Sequence, residues 1–237
     1  GLNQFSAMTD EEVRERFLTN IKILKNEIKV DESFNYKAGD IDWTQQGAVV
    51  PVRNQGQCAA AWVFSSTAVC KFEQNYDGKL QILSDQQLID CASHSGSACT
   101  GGYPGEALNM LNSMEYARRE YPYKGVPQTC KRTDGSFKIS GFTEIKSSCD
   151  DLSVAIHKGP VTVLVDASNW FRYSSGVFNN CGTSLNHAAT LVGQIQDNWK
   201  VQNSWGTSWG EMVTLDLQKA TPVEFAQVDS FHINDHS

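Results

Sequence analysis

Three short segments of the chain carry side chains that could take part in acid–base or carbonyl chemistry. Residues 55–65 read Gln-Gly-Gln-Cys-Ala-Ala-Ala-Trp-Val-Phe-Ser, residues 185–188 read Leu-Asn-His-Ala, and residues 203–210 read Asn-Ser-Trp-Gly-Thr-Ser-Trp-Gly. A histidine exchanges protons near neutral pH, and a side-chain amide can donate to a developing negative charge. Taken alone, His187 is a packed histidine and Gln55 is an ordinary loop glutamine. Only the combination of the segments indicates chemistry.

The order of these segments resembles the papain and cathepsin L family of cysteine peptidases, whose first segment reads Gln-Gly-x-Cys-Gly-Ser-Cys-Trp-Ala-Phe-Ser. His187 and Asn203 follow Ala61 at about the family's spacing of roughly 130–150 residues. Two further stretches match family motifs: residues 83–91, Leu-Ser-Asp-Gln-Gln-Leu-Ile-Asp-Cys, and residues 99–104, Cys-Thr-Gly-Gly-Tyr-Pro. The resemblance therefore covers nearly the whole chain.

The resemblance implies a role for each residue that matches a family motif. Gln55 would donate to the oxyanion, His187 would act as base and acid, Asn203 would orient the imidazole, and Trp205 would shield the His–Asn hydrogen bond from water. The nucleophile position holds Ala61, whose methyl group cannot attack a carbonyl or form an acyl-enzyme. Removing a nucleophile from such a unit costs on the order of 10⁶ in turnover. The sequence as written predicts no thiol peptidase activity.

The resemblance also implies a cleft that binds an extended peptide. Gly101 and Gly102 would form the edge that hydrogen-bonds the peptide backbone, a form of strand addition. The main specificity pocket would be lined by Tyr103, Pro104, Leu164 and Leu185. All but Tyr103 are purely apolar, so the pocket is expected to take a bulky aliphatic or aromatic side chain. Outside this resemblance, the glycines would be a plain turn and the other residues ordinary core.

The seven cysteines indicate a compartment and argue against a metal site. They lack the Cys-x-x-Cys spacing of a zinc site, so we expect neither a metal nor a cofactor. A reduced cytosolic protein could bury seven thiols, but an oxidising compartment with two or more disulfides fits better. The expected location is the secretory pathway lumen, a lysosome or vacuole, or the extracellular space.

The family's disulfide pairing implies two bridges, Cys58–Cys99 and Cys91–Cys130. A third family bridge would join Cys181 to a cysteine near the C-terminus, and this chain has none there. Cys70 is expected to be a buried free thiol on the central helix. Cys149 is left unassigned, and a Cys149–Cys181 bridge has no support from the family.

Composition narrows the classes of partner. The 237 residues are 40% hydrophobic and 20% charged, as in a globular protein, with a net charge of −7. A Lys/Arg patch for phosphate is lacking, so no nucleic acid partner is expected. Stretches of about 20 apolar residues are also lacking, so no membrane span is expected. The remaining candidate partners are a peptide or protein ligand in the cleft, or a larger protein assembly.

Periodicity and capping predict an α+β protein with a helical first half and a strand-rich second half. The helices are predicted after Thr9, with Glu12 completing a capping box, at 60–77, and at 84–90, with Gln87 completing a second box. The strands are predicted at residues 160–166, 187–192, 199–203 and 212–217. With the resemblance, this implies a papain-like two-lobed fold: a helical left lobe, a β-barrel-like right lobe and the cleft between them.

The first residues resemble the end of the family's inhibitory prosegment. Residues 1–7 follow the family's Gly-x-Asn-x-Phe-x-Asp pattern, except that Ala7 replaces the acidic residue. We therefore divide the chain into a prosegment remnant at 1–33 and a peptidase domain at 34–237. A working peptidase would ordinarily remove this remnant.

Two explanations of Ala61 stay open. Ala59, Ala60, Gln202 and residues 212–214 also depart from the family pattern, which favours natural loss of the nucleophile and a pseudopeptidase with a binding or structural role. The alternative is a cathepsin L-like endopeptidase with an engineered cysteine-to-alanine substitution at position 61. A storage or allergen-like protein is a third possibility.

Overall fold

The computed structural model describes most of the chain. The described residues are 3–18, 39–47, 49–70, 82–92, 98–111, 116, 118–131, 135, 137–145, 149–178, 180, 182, 184–196, 198–209, 212–216 and 224–233. The helices within them are α1 (Asp10–Phe17), α2 (Ala61–Val69), α3 (Asp85–Cys91), α4 (Pro104–Leu111) and α5 (Cys149–Ile156). The strands are β1 (Ile41–Asp42), β2 (Phe137–Ile145), β3 (Val161–Val165), β4 (Val177–Phe178), β5 (His187–Ile195), β6 (Asn198–Gln202), β7 (Met212–Asp216) and β8 (Glu224–Ile233).

Helix α1 begins at a complete capping box, as predicted. The Thr9 N–H donates to Glu12 Oε2 at 2.8 Å, and the Glu12 N–H donates to Thr9 Oγ1 at 3.2 Å. These bonds satisfy two backbone donors that the first helical turn would otherwise leave unpaired. Val13, on the inner side of the helix, is buried in the main core.

Helix α2 is the central helix, and every one of its residues is buried. The prediction of a helix over 60–77 is confirmed for Ala61–Val69, and the part from Lys71 to Asp77 lies outside the described residues. Cys70 is fully buried, as expected, and belongs to neither of the two described disulfides.

Helix α3 starts at the predicted cap, but its box is only half made. Ser84 Oγ accepts from the Gln87 N–H at 3.0 Å, as expected. The Ser84 N–H, however, donates to the Tyr116 carbonyl oxygen, and the Gln87 side chain accepts from the Tyr116 N–H at 2.7 Å. The expected bond between the Ser84 N–H and the Gln87 side chain is replaced, because the backbone of Tyr116 bonds both groups instead.

The strands form one mixed sheet. Its order is β2-β8-β3-β5-β6-β7-β4, with β1 paired to β5. All pairs are antiparallel except β4 with β7. The four predicted strands are confirmed as β3, β5, β6 and β7, and the sequence analysis did not anticipate β1, β2, β4, β8, α4 or α5.

Two main cores correspond to two lobes. One core packs α2, α3 and α4 together and includes Phe64, Leu88 and Leu108. The other lies against the sheet and includes Trp199 and Trp205. Contacts of α2 with β5 and β3 join the two lobes, so the start of α2 lies where they meet.

Two disulfides, both in the helical lobe, are present among the described residues: Cys58–Cys99 and Cys91–Cys130. These are the pairs that the family resemblance implies. Cys181 and the side chain of Cys149 lie outside what the structure describes, so the structure does not test a bridge between them.

The N-terminal segment packs on the sheet lobe. The Phe5 ring meets Trp205 edge to face, with centroids 5.2 Å apart, and meets Phe171 similarly at 5.4 Å. Asn3 Nδ2 donates to the Phe171 carbonyl oxygen at 2.8 Å. Leu18 is buried in the same core, so residues 3–18 are an integral part of this face. No helix in the described ranges is long and apolar enough to cross a membrane.

Candidate active site

The candidate site lies where three elements converge. Ala61 is the first residue of α2, His187 is the first residue of β5, and Asn203 immediately follows β6. Because β5 pairs with β6 and also contacts α2, residues far apart in sequence meet at the cleft.

His187 and Asn203 form a buried hydrogen-bonded pair. His187 Nε2 lies 2.7 Å from Asn203 Oδ1, and the side chains are only 1% and 4% exposed. Since an amide oxygen accepts, Nε2 carries the proton, and Nδ1 is left with a lone pair. Within the described residues, His187 Nδ1 and Asn203 Nδ2 have no hydrogen-bond partner.

The environment of His187 keeps its imidazole neutral. Burial lowers the pKa of His187 to about 4, although the hydrogen bond from Nε2 to Asn203 opposes that shift. At neutral pH the ring can therefore accept a proton at Nδ1. Ala61, at the position where the family's thiol would stand, has no proton to give.

Indole rings enclose the imidazole. Trp205 is fully buried, and its ring centroid lies 4.9 Å from that of His187. Trp170 approaches the imidazole edge to face at 6.1 Å. The structure thus places Trp205 where it can exclude water from the His–Asn pair. Trp170, which the sequence analysis missed, lies outside the family motifs quoted above.

Gln55 is held firmly by the loop that follows β6. Its backbone N–H donates to the Ser204 carbonyl oxygen at 2.8 Å, and its Oε1 accepts from Ser204 Oγ at 2.7 Å. Its Nε2 donates to the Cys58 carbonyl oxygen at 3.0 Å. An amide nitrogen has two protons, so one N–H remains after this bond. Ser204 is a positioning residue that the sequence analysis did not single out, although it lies in a recognised motif.

Gly102 is required where the cleft approaches Trp62. A Cβ at position 102 would lie 2.6 Å from the indole ring, closer than atoms can pack. Gly101 has a φ of +116°, a backbone conformation that favours glycine. Gly102 lines a small pocket together with Ala61 and His187.

Most of the predicted specificity pocket comes together. Leu164 packs with Ala61 and Ala188 in a small apolar cluster, and Tyr103 and Leu185 pack against it from its exposed side. Pro104 lies outside that cluster. It is buried at the start of α4, where its carbonyl oxygen accepts from Ser66 Oγ at 3.3 Å.

Tyr103 of this pocket contacts a carboxylate that the sequence analysis missed. Tyr103 donates its hydroxyl to Glu144 Oε1 at 3.4 Å. Glu144 lies on β2, which was not predicted, so nothing in the sequence linked it to the cleft. The described residues bring together no group of three or more potential metal ligands.

Comparison with known proteins matches this geometry to one family. The model described as "Papain family cysteine protease" matches residues 38–231. Cathepsin L 2 of Paramecium tetraurelia is 37% identical over 98% of this chain and 76% of its own length. Stem bromelain of Ananas comosus is 42% identical over 72% of this chain and 84% of its own length. The solved structure of a recombinant stem bromelain precursor superposes with a TM-score of 0.84 at 32% identity, covering 97% of this chain and 82% of that one.

Proposed function

Because the chain belongs to the papain family of cysteine proteases, we propose that it is a catalytically inactive member that holds extended peptides in its cleft. The observation that carries this proposal is Ala61 at the start of α2, in a cleft that it shares with His187. In this proposal His187 would be the base and Asn203 its orienting amide, and the group that they would activate is replaced by a methyl.

Without a thiol, the family's reaction would stop at its first step, the transfer of the thiol proton to the imidazole. A cysteine at a helix N-terminus would give its proton to the imidazole, and the resulting thiolate and imidazolium would stabilise each other. With alanine there is no thiolate to offset the cost of a buried charge, so burial, opposed by the Asn203 hydrogen bond, lowers the pKa of His187 to about 4. The Gln55 amide could polarise a carbonyl, but the described residues that line the pocket beside His187 include no nucleophilic side chain.

The binding surface supports the second half of the proposal. Gly102, Tyr103, Leu164 and Leu185 lie around the cleft, and Gly101 directly precedes them. A papain-family member binds peptides in this cleft. The pocket does not depend on the thiol, so losing the nucleophile removes turnover without removing the surface that holds the peptide.

The N-terminal residues fit the same proposal. We assign residues 1–33 to the end of a prosegment and residues 34–237 to the peptidase domain. Support comes from Phe5, which packs directly on Trp205 and is only 4% exposed. Disulfide-bonded members of the family are typically secreted, lysosomal or vacuolar, and we propose the same range of locations for this chain.

The test measures turnover and binding on the same preparation. We expect no hydrolysis of a fluorogenic peptide above background, and saturable binding of a fluorescent extended peptide by polarisation. No labelling of the cleft by a thiol-directed epoxide is expected either. Turnover by the unchanged protein would contradict inactivity, and absence of peptide binding would contradict the holding role.

A second candidate is a cathepsin L-like endopeptidase in which alanine was introduced at position 61. The intact His187–Asn203 bond and the held Gln55 favour it, since a working peptidase requires both. The natural gene separates the candidates, because codon 61 encodes cysteine only under the second.

A further inference from the structure

Tyr103 of the specificity pocket contacts a carboxylate, Glu144, that forms no ion pair with any described residue. Glu144 is partly buried, and its recorded contact is the hydroxyl of Tyr103 at 3.4 Å. Ordinary O–H···O bonds have a mode of about 2.7–2.8 Å, so this bond is long and offsets little of the lost hydration.

The described residues provide no cation for Glu144. Their ion pairs are Arg53–Asp85, Arg172–Asp10 and Lys200–Asp42, and all lie elsewhere. A carboxylate that is partly withdrawn from water, and whose contact among the described residues is a neutral hydroxyl, attracts a cationic group brought by a ligand.

The sheet register places Glu144 on the cleft side. Glu144 is opposite Ala226 of β8, and Ala226 is opposite Thr162 of β3. Opposed residues share a face of the sheet, and so do residues two apart on one strand. Thr162 bonds the Ser65 carbonyl oxygen of α2, and Leu164 lines the pocket, so this is the face towards the cleft.

We propose that Glu144 makes this pocket selective for a lysine or arginine side chain of the bound peptide. This inference rests on the proposed peptide-holding function and names the ligand class. The aliphatic stem would lie against Tyr103, Leu164 and Leu185, while the cationic head would reach Glu144, as long basic side chains commonly do. The apolar residues named in the sequence analysis thus bind the aliphatic stem, and the Glu144 carboxylate distinguishes a charged head from a neutral one.

The experiment compares three N-blocked fluorescent peptides that differ only in the residue entering the pocket, next to the scissile residue. That residue is arginine, citrulline or norleucine. Citrulline keeps the shape of arginine without its charge, so the comparison requires no change in the protein. We expect arginine to bind about tenfold more tightly than citrulline, since a charge-assisted hydrogen bond is roughly twice as strong as a neutral one. Raising the ionic strength should reduce that ratio.

Two variants localise the effect. Glu144→Gln should abolish the preference for arginine over citrulline while leaving norleucine binding within about twofold. Glu11→Gln removes the same charge from the exposed face of α1 and should leave all three affinities unchanged. Melting temperatures of both variants establish that they are folded, and the peptide comparison on the unchanged protein stands even if Glu144→Gln is unstable.

The outcomes separate this inference from the function on which it rests. If citrulline or norleucine binds as tightly as arginine, the inference is overturned while peptide holding stands. An arginine preference that survives in folded Glu144→Gln also overturns it. If none of the peptides binds, the proposed function fails and the inference fails with it.

Discussion

The two sides of the candidate site differ in how their residues are held. On the sheet side, His187 bonds Asn203, Trp205 packs over the imidazole, and Ser204 bonds Gln55. On the helix side, the residues that begin α2 are alanines, and Ala60 provides no side-chain cap. The sheet side therefore has packing and hydrogen bonds that would select for these residues even without catalysis.

This difference would allow His187 and Asn203 to be retained after the loss of a thiol at position 61. His187, Asn203 and Trp205 are buried, and changing any of them would leave a cavity or an unpaired polar group. A cysteine-to-alanine change at position 61 removes only one sulfur atom beside a cleft. Natural loss of the thiol is therefore compatible with an intact dyad.

The largest expected effect comes from introducing a thiol on the helix side, at the start of α2. Ala61→Cys should produce measurable peptidase activity under reducing conditions at mildly acidic pH, because the base and the amide donor are already placed. A misplacement of about 1 Å costs roughly 10²-fold, and the neighbouring Ala59 and Ala60 favour such a shift. Turnover of a fluorogenic peptide and labelling by an epoxide inhibitor measure the gain, with Ala61→Ser as the matched control. A folded Ala61→Cys protein with no thiolate reactivity would show that the whole site has drifted.

The next effect concerns the ion pair that anchors α2. Asp85 of α3 is fully buried, contacts Arg53 and accepts from Thr67 of α2. Asp85→Ala should lower the free energy of unfolding by about 3–5 kcal/mol, because it leaves the Arg53 charge buried and unpaired. Arg172→Ala, which breaks the exposed Arg172–Asp10 pair, should cost less than about 1 kcal/mol. Chemical denaturation measures both, and equal losses would show that burial does not set the difference.

Reducing the disulfides should also act on the helical lobe. Both described bridges lie there, and Cys58–Cys99 closes the loop that leads into α2. Loss of a native bridge costs about 2–5 kcal/mol in small secreted domains, so the melting temperature should fall on reduction. Peptide mapping under thiol-blocking conditions should recover Cys58 with Cys99 and Cys91 with Cys130. Recovery of either pair as free thiols would contradict the structure.

The smallest expected effect is a pH dependence of stability caused by His187 on the sheet side. His187 has a folded-state pKa of about 4 against an ordinary 6.5, so between these values the unfolded chain binds a proton that the folded protein excludes. Stability should therefore be lost as pH falls from 6.5 towards 4, by up to roughly 3 kcal/mol from this residue. Melting temperatures of the unchanged protein and of His187→Gln across this range measure the difference. Parallel curves would mean that His187 titrates normally.

Local features of the molecule could be predicted because their causes are local. The Thr9 and Ser84 caps bond residues three positions away. The β-branched residues of β3 predict a buried strand from the local sequence alone. The family motifs also identify residues of the site, because they name His187 and Asn203, which lie 2.7 Å apart in the structure. Strands β2 and β8 were missed because their pairing depends on residues far apart in the chain.

The sequence by itself determined the chemical groups available to this protein: a histidine, two amides, an alanine where a thiol would stand, and cysteines in pairable positions. Only the tertiary structure decided what those groups experience. Burial sets the pKa of His187, a distant backbone takes the place of the expected bond at Ser84, and β-sheet register brings Glu144 to Tyr103. The reason is physical: covalent order specifies which groups exist and which neighbours lie within a turn. Desolvation and long-range contact depend on how separated segments pack.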